Sequence, residues 1–155
     1  MDKLLIRRLT KQDYEGVSRV DILTQKQYLR EKWEKLSPTE KERHLVSRKS
    51  EFNINVNSQY CFVASLDNTI IGFILAHEIQ PFSGNIYIRY IGINPKYQGR
   101  GVGLLLYSEL IKKAKKNKIK KISALINLDN PKSIKLHQKS GFILKDRKEA
   151  VLELN

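Results

Sequence analysis

Gln98-Gly99-Arg100-Gly101-Val102-Gly103 stands between a strand-like run, Tyr87 to Ile93, and a strongly helical one, Leu104 to Lys116. Glycines at alternate positions let a backbone approach a ligand without side-chain interference. A helix that opens there leaves its first N–H groups without intrahelical partners, at the positive end of its dipole. Such a turn suits an anion, and its reading here is a diphosphate site.

Other glycine loops fail on detail. A Walker loop needs G-x-x-x-x-G-K-[ST], whereas Leu104 and Leu105 follow Gly103. A dinucleotide fingerprint wants an acidic residue about 20 positions on, and Lys118 to Ser123 occupy that place.

Upstream, Lys3 to Leu9 reads as a first strand, and Thr10 with Asp13 is a near capping box for a helix through Gly16 toward Leu29. Ser37-Pro38 with Glu40 is a clearer box, opening a helix toward Phe52. Tyr60 to Leu66 and Thr69 to Ile79 are β-rich runs joined by Asp67-Asn68, residues that tolerate the left-handed backbone of a tight hairpin. Pro81 to Gly84 makes the next turn, and Asn94-Pro95 ends the central strand because proline cannot donate to a ladder.

Downstream, Val102, Leu105, Leu106, Leu110 and Ala114 recur at three- and four-residue spacing, one apolar stripe of a sheet-packing helix. Ile122 to Leu128 is a fifth strand; Asn130 caps a short helix with Pro131 at its first position, and Gly141 stops it. Phe142 to Lys145 and Ala150 to Leu154 are expected as a closing hairpin. The order βααβββαβαββ describes an α/β chain with a single mixed, mostly antiparallel sheet of about seven strands and about four helices on both faces.

With 155 residues the chain is expected to form one domain, residues 1–155, without internal repeat or linker. Its apolar stretches are too short for a membrane span, and the start carries only the apolar run Leu4-Leu5-Ile6, so a cytoplasmic location is expected. Cys61, the single cysteine, lies in an apolar run and reads as a buried hydrophobe. His44, His77 and His137 lie far apart, without paired ligand spacing, so no metal is expected. The 29 Lys and Arg against 16 Asp and Glu give +13, a field that attracts phosphates, nucleic acids and acidic proteins alike. Lys112 to Lys121 supply much of that excess near a helix C-terminus and read first as a solvated face. A nucleic-acid module would rest on charge alone, since no stacking aromatics accompany the lysines.

Gln98-x-x-Gly101-x-Gly103 after a strand, then Asn130-Pro131 and His137 to Gly141-Phe142, resembles the GNAT superfamily of acyl-CoA N-acyltransferases over roughly residues 60 to 145. The resemblance implies an acetyltransferase that moves an acetyl group from acetyl-CoA, or another acyl-CoA, to a primary amine by direct attack in a ternary complex. It implies that the pantetheine arm lies along the central strand against main-chain groups of Ile91, Gly92 and Ile93. The pyrophosphate would then meet Gln98, Gly99, Arg100, Gly101, Val102 and Gly103, and Asn130 would touch the arm.

His137 stands where the family commonly has a tyrosine, so it is the candidate general acid and a candidate cofactor contact. Imidazole titrates near pH 6.5, so roughly a quarter is protonated at neutral pH. Tyr87 and Leu125 occupy places where some members carry a glutamate, which leaves water or Glu78 as base. Tyr28, Trp33, Glu34, Glu78, Tyr87 and Arg147 are candidate acceptor contacts. The acceptor, a small-molecule or protein amine, is not written in these motifs. A sensor that binds acyl-CoA without turnover is the alternative, and a homodimer is compatible with the family.

Overall fold

The computed structural model describes residues 3–79 and 84–154. Strand β1 (Leu4–Arg8) leads through a one-turn 3-10 helix into α1 (Tyr14–Leu29), α2 (Glu31–Lys35) and α3 (Pro38–Asn55). Strands β2 (Phe62–Leu66), β3 (Thr69–Glu78) and β4 (Asn85–Ile93) follow, then α4 (Val102–Lys116), β5 (Lys121–Ala124) and α5 (Pro131–Lys139). The sheet order is β1-β2-β3-β4-β5, antiparallel except for the β4–β5 pair. Parallel strands need a crossover, and α4 provides it.

The local signals act as the sequence suggests. Ser37 accepts from the Glu40 amide while the Glu40 carboxylate accepts from the Ser37 amide, so the box that opens α3 closes in both directions. Asp67 and Asn68 take φ of 47° and 64° in the β2–β3 hairpin. Both faces of the sheet are covered, so β3 is almost continuously buried. Ile74, Ile86, Ile88 and Ile93 pack under α4 through Val102, Leu106, Tyr107 and Leu110. Val63, Phe73 and Leu75 pack beneath α1 and α3 through Val17, Val20 and Phe52.

A register shift interrupts the β3–β4 ladder: Leu75 faces Tyr90 but Ala76 faces Ile88, so Arg89 is an extra residue on β4. Such a bulge resets the alternation of faces. Ile86 and Ile88 point to the α4 side before it, Ile91 and Ile93 after it, and Tyr90 points toward α1 and α3.

Three expectations are corrected. The described residues form five strands rather than about seven, because residues 142–154 form no ladder. Lys145-Asp146-Arg147-Lys148-Glu149 supplies five charges and no hairpin turn chemistry, and the four-residue β5 offers little edge to pair with. On α4, Leu105 is 43% exposed, while Gly103 and Tyr107 complete the buried stripe. The stretch around Trp33 is the short helix α2, a fifth helix against the expected four. Of the turn expected at Pro81 to Gly84, residues 81–83 lie outside the described residues.

Candidate functional site

The ladder between β4 and β5 ends at the pair Ile88 and Ala124, one residue before the bulge at Arg89. From Tyr90 to Ile93 the central strand pairs, among the described residues, with β3 only. Its other edge is therefore a run of main-chain polar groups available to an extended ligand, as in strand addition. Of the three residues expected there, Ile91 and Ile93 turn their main-chain groups to this edge, where the Ile93 carbonyl is taken by Gln98, while Gly92, opposite Phe73, is in the phase that bonds to β3.

The edge leads into the glycine turn. Gly99 and Gly101 have φ of 75° and 83°, a region that strains any residue with a side chain, and a Cβ added at either meets no protein atom within 4 Å. Gly101 is the N-cap of α4 and makes no side-chain cap, so the first-turn amides of Val102 and Gly103 face an open space at the positive end of a helix. This open turn fits a diphosphate. Gly103 differs: a Cβ there would lie 2.9 Å from Leu136, so this glycine serves the packing of α5 on α4.

Gln98 braces the turn from within. Its Nε2 donates to the Ile93 carbonyl at 3.0 Å and to Gln27 Oε1 at 2.8 Å, and its Oε1 accepts from Gln27 and from Lys132 Nζ. Arg100 is exposed, with its guanidinium 5.6 Å from the Tyr97 ring. Asn130 caps α5 by accepting from the Ser133 amide at 3.2 Å.

His137, expected as the general acid, is 2% exposed. Its Nδ1 lies 2.7 Å from the Ser133 carbonyl, which can only accept, so Nδ1 carries the proton. Nε2 then accepts from the Tyr107 hydroxyl at 2.7 Å. Burial lowers the imidazole pKa, and the bond to Ser133 only partly offsets that. Tyr107, His137 and Phe142 stack edge to face at 5.1–5.3 Å and join α5 to α4. Both ring nitrogens are engaged within the fold, so in this geometry the residue is a structural joint and presents no proton to the open strand edge.

The other candidates scatter. Tyr28 donates to Asp129 at 2.8 Å and accepts from Asn127, tying α1 to the segment before α5. Trp33 is 5% exposed beside His44; Glu34 and Arg147 are exposed. Glu78 accepts from the Gly84 amide at 2.7 Å and pairs in register with Ile86. Six residues of strand separate Ile86 from Gly92, roughly 20 Å, so Glu78 is remote from the glycine turn. Tyr87 sits against His77 at the same end. Cys61 is fully buried and its thiol is pushed up to about 11 by burial, as expected of a core residue. Among the described residues no group of His, Cys, Asp and Glu could hold a metal ion, and no helix is long and apolar enough to cross a membrane.

The structure assembles a cluster that sequence reading missed. Arg48 and Glu51 of α3 and Asp21 of α1 gather around Tyr90 and Arg89 at the bulge. The only available signal was polar residues at inward positions of helices, which resembles an ordinary surface stripe. Arg89 holds Glu51 at 2.9 Å and thereby lowers its pKa. Asp21 is 7% exposed, and burial raises its pKa despite the nearby Arg48. Tyr107 was legible only by extending the α4 stripe through Gly103.

Comparison with known proteins agrees with this geometry. Residues 24–142 match the acetyltransferase (GNAT) family. A curated acetyltransferase of Yersinia pestis is 28% identical over 96 residues, 62% of this chain and 66% of the relative, so the match spans slightly less than two thirds of that protein. The PaiA N-acetyltransferase of Thermoplasma acidophilum, solved with coenzyme A, superposes with a TM-score of 0.80 at 22% identity, covering 94% of this chain and 93% of that one. AAC(6')-Iy, solved with a bisubstrate analogue of coenzyme A and acetylneamine, superposes with a TM-score of 0.71 at 19% identity, covering 99% of both chains. With a central strand unpaired on one edge beyond Ile88, its glycine turn and a matched region that spans most of its length, the chain belongs to the GNAT acetyltransferase family, whose acyl donor is an acyl-CoA.

Proposed function

We propose that this protein is an N-acetyltransferase that takes acetyl-CoA as donor and a primary amine as acceptor. The observation that carries the reading is the continuity between the unpaired edge of β4 and the open turn at Gly99 and Gly101. An arm bearing amides and a diphosphate needs a strand edge followed by an anion site, in that order. Gln98 holds the two in one geometry through Ile93 and Gln27. The acceptor nitrogen forms a bond to the thioester carbonyl carbon, and the carbon–sulfur bond breaks. The nitrogen gives a proton to solvent, and the departing sulfur takes one from it.

On this reading main-chain N–H groups of β4 beyond the bulge would meet the carbonyl oxygen, and donors already fixed by the β3–β4 ladder cost no rearrangement during reaction. His137 takes no part in this account, because its nitrogens are committed to Ser133 and Tyr107. The engagement of His137 also favours a second reading, a sensor that binds acyl-CoA without turnover. Transfer of labelled acetyl from acetyl-CoA to a panel of amines and peptides, with thiol release followed in parallel, separates the two. Amine-dependent thiol release establishes the enzyme; binding by calorimetry without release establishes the sensor; neither removes the reading.

A further inference from the structure

Arg48 is an under-used cation. Its Nη1 is buried and has no hydrogen-bond partner among the described residues. Its only ion pair among the described residues, Nε to Asp21 Oδ2, is 3.4 Å long, well beyond the 2.7–2.9 Å of a good charge-assisted bond. Arg89, by contrast, holds its own carboxylate, Glu51, at 2.9 Å. The Arg48 guanidinium is fixed over the Tyr90 ring at 3.6 Å and lines a cavity of about 20 Å³ together with Ser18, Asp21 and Tyr90.

That volume admits one small oxygen-bearing group. A buried donor left without a partner is destabilising, so an oxygen acceptor is the chemistry the cavity lacks. Its position relates it to the proposed reaction: Tyr90 is the residue after the bulge, two residues and roughly 7 Å along the strand from Gly92. The whole chain carries +13, which concentrates anions and repels polycations.

We propose that this cavity is the acceptor's anchoring subsite and that the acceptor is an amine bearing a carboxylate, held by Arg48 Nη1 beside Asp21. The inference rests on the acetyltransferase reading for its word acceptor, and on Arg48, Asp21 and Tyr90 for the site. A guanidinium suits a carboxylate because its N–H groups form a planar fork. An amino acid or short peptide anchored there extends its amine along Tyr90 toward the open edge of β4. Polycationic amines lack the group that Arg48 would hold.

Titration of the protein with acetate and with the isosteric neutral acetamide, followed on the Arg48 guanidinium resonances by NMR, tests the subsite without needing turnover. Acetate is expected to saturate and to bind at least about tenfold more tightly than acetamide, a gap of about 1.4 kcal/mol. Arg48→Met should abolish that preference and Arg48→Lys should weaken it, both with unchanged acetyl-CoA affinity by calorimetry. Equal binding of acetate and acetamide, or a preference that survives Arg48→Met in a folded variant, overturns the proposal. Absence of acetyl-CoA binding would remove the enzymatic reading instead and leave the acetate result to stand by itself. For any amine that is turned over, wild type should favour the acid over its carboxamide in kcat/KM, and Arg48→Met should bring the ratio toward one.

Discussion

Two glycines two residues apart, Gly101 and Gly103, should respond to substitution in opposite ways. At Gly101 the fold leaves open space around a new Cβ, so the structural cost of Gly101→Val is that of a left-handed backbone at φ 83°, about 1–2 kcal/mol. For a chain of this size each kcal/mol shifts the melting temperature by about 2–4 °C, so the variant should melt roughly 2–8 °C lower and remain folded at 25 °C. The open space is where a diphosphate would meet the first amides of α4. Two charge-assisted bonds obstructed there amount to about 3–6 kcal/mol, at least a hundredfold in affinity. At Gly103 the new Cβ of an alanine meets Leu136 at 2.9 Å, and such overpacking costs about 1–3 kcal/mol of stability. The folded Gly103→Ala protein should bind acetyl-CoA within about threefold of wild type, since Leu136 can shift and no ligand space is filled. Calorimetric titration with acetyl-CoA, beside thermal melts of all three proteins, reads both quantities. A folded Gly101→Val protein with wild-type affinity would refute the anion site.

Tyr107→Phe should destabilise by about 1–3 kcal/mol, because His137 Nε2 is then buried without a donor, and the double variant with His137→Phe should recover part of that loss in denaturant melts. The lowered pKa of His137 means that the unfolded chain binds its proton first, so stability should fall as pH drops below about 6.5 and the fall should be shallower in His137→Phe. Asn130→Ala removes the cap of α5 and should cost about 1 kcal/mol, read as a drop of about 2–4 °C in melting temperature. Burial works against the charge of Asp13, but the Arg7 fork and the bonds from Thr10 outweigh it and lower its pKa. Stability contributed by this carboxylate should therefore be present above the ordinary Asp range and fade as pH falls through and below it, a loss that Asp13→Asn should not show in acid titration followed by circular dichroism.

Much of the fold was legible because its signals are local. Ser37 and Glu40, Asp67-Asn68, Asn94-Pro95 and Asn130-Pro131 act within a few residues, and each ended or opened an element where expected. The glycine turn was legible for the same reason. The bulge at Arg89 was not, since a register shift belongs to the pairing with β3 and leaves no mark on Arg89 itself. The role of His137 was hidden similarly: position within a motif suggested a proton donor, while its partners Tyr107 and Ser133 are defined only once α5 packs on α4. Asp21 and Arg48 lie far apart in the chain and meet across two helices. At the closing hairpin, Ala150, Leu152 and Leu154 alternate as in a strand, a pattern that says which side chains agree with one another but not whether an edge is long enough to receive them.

The single surplus residue in β4 makes this stretch tolerant of one kind of change and intolerant of another. Ile91 and Ile93 would meet a donor through their main chain, so exchanges among apolar side chains of similar size should be accepted there. Removing Arg89 would restore a regular pleat in which Ile88, Ile91 and Ile93 still face α4 and Tyr90 still faces α1 and α3, so the layers would survive while the local bend and the pair with Glu51 were lost. The bend at this point, more than the identity of any apolar side chain beyond it, is what evolution would have to preserve.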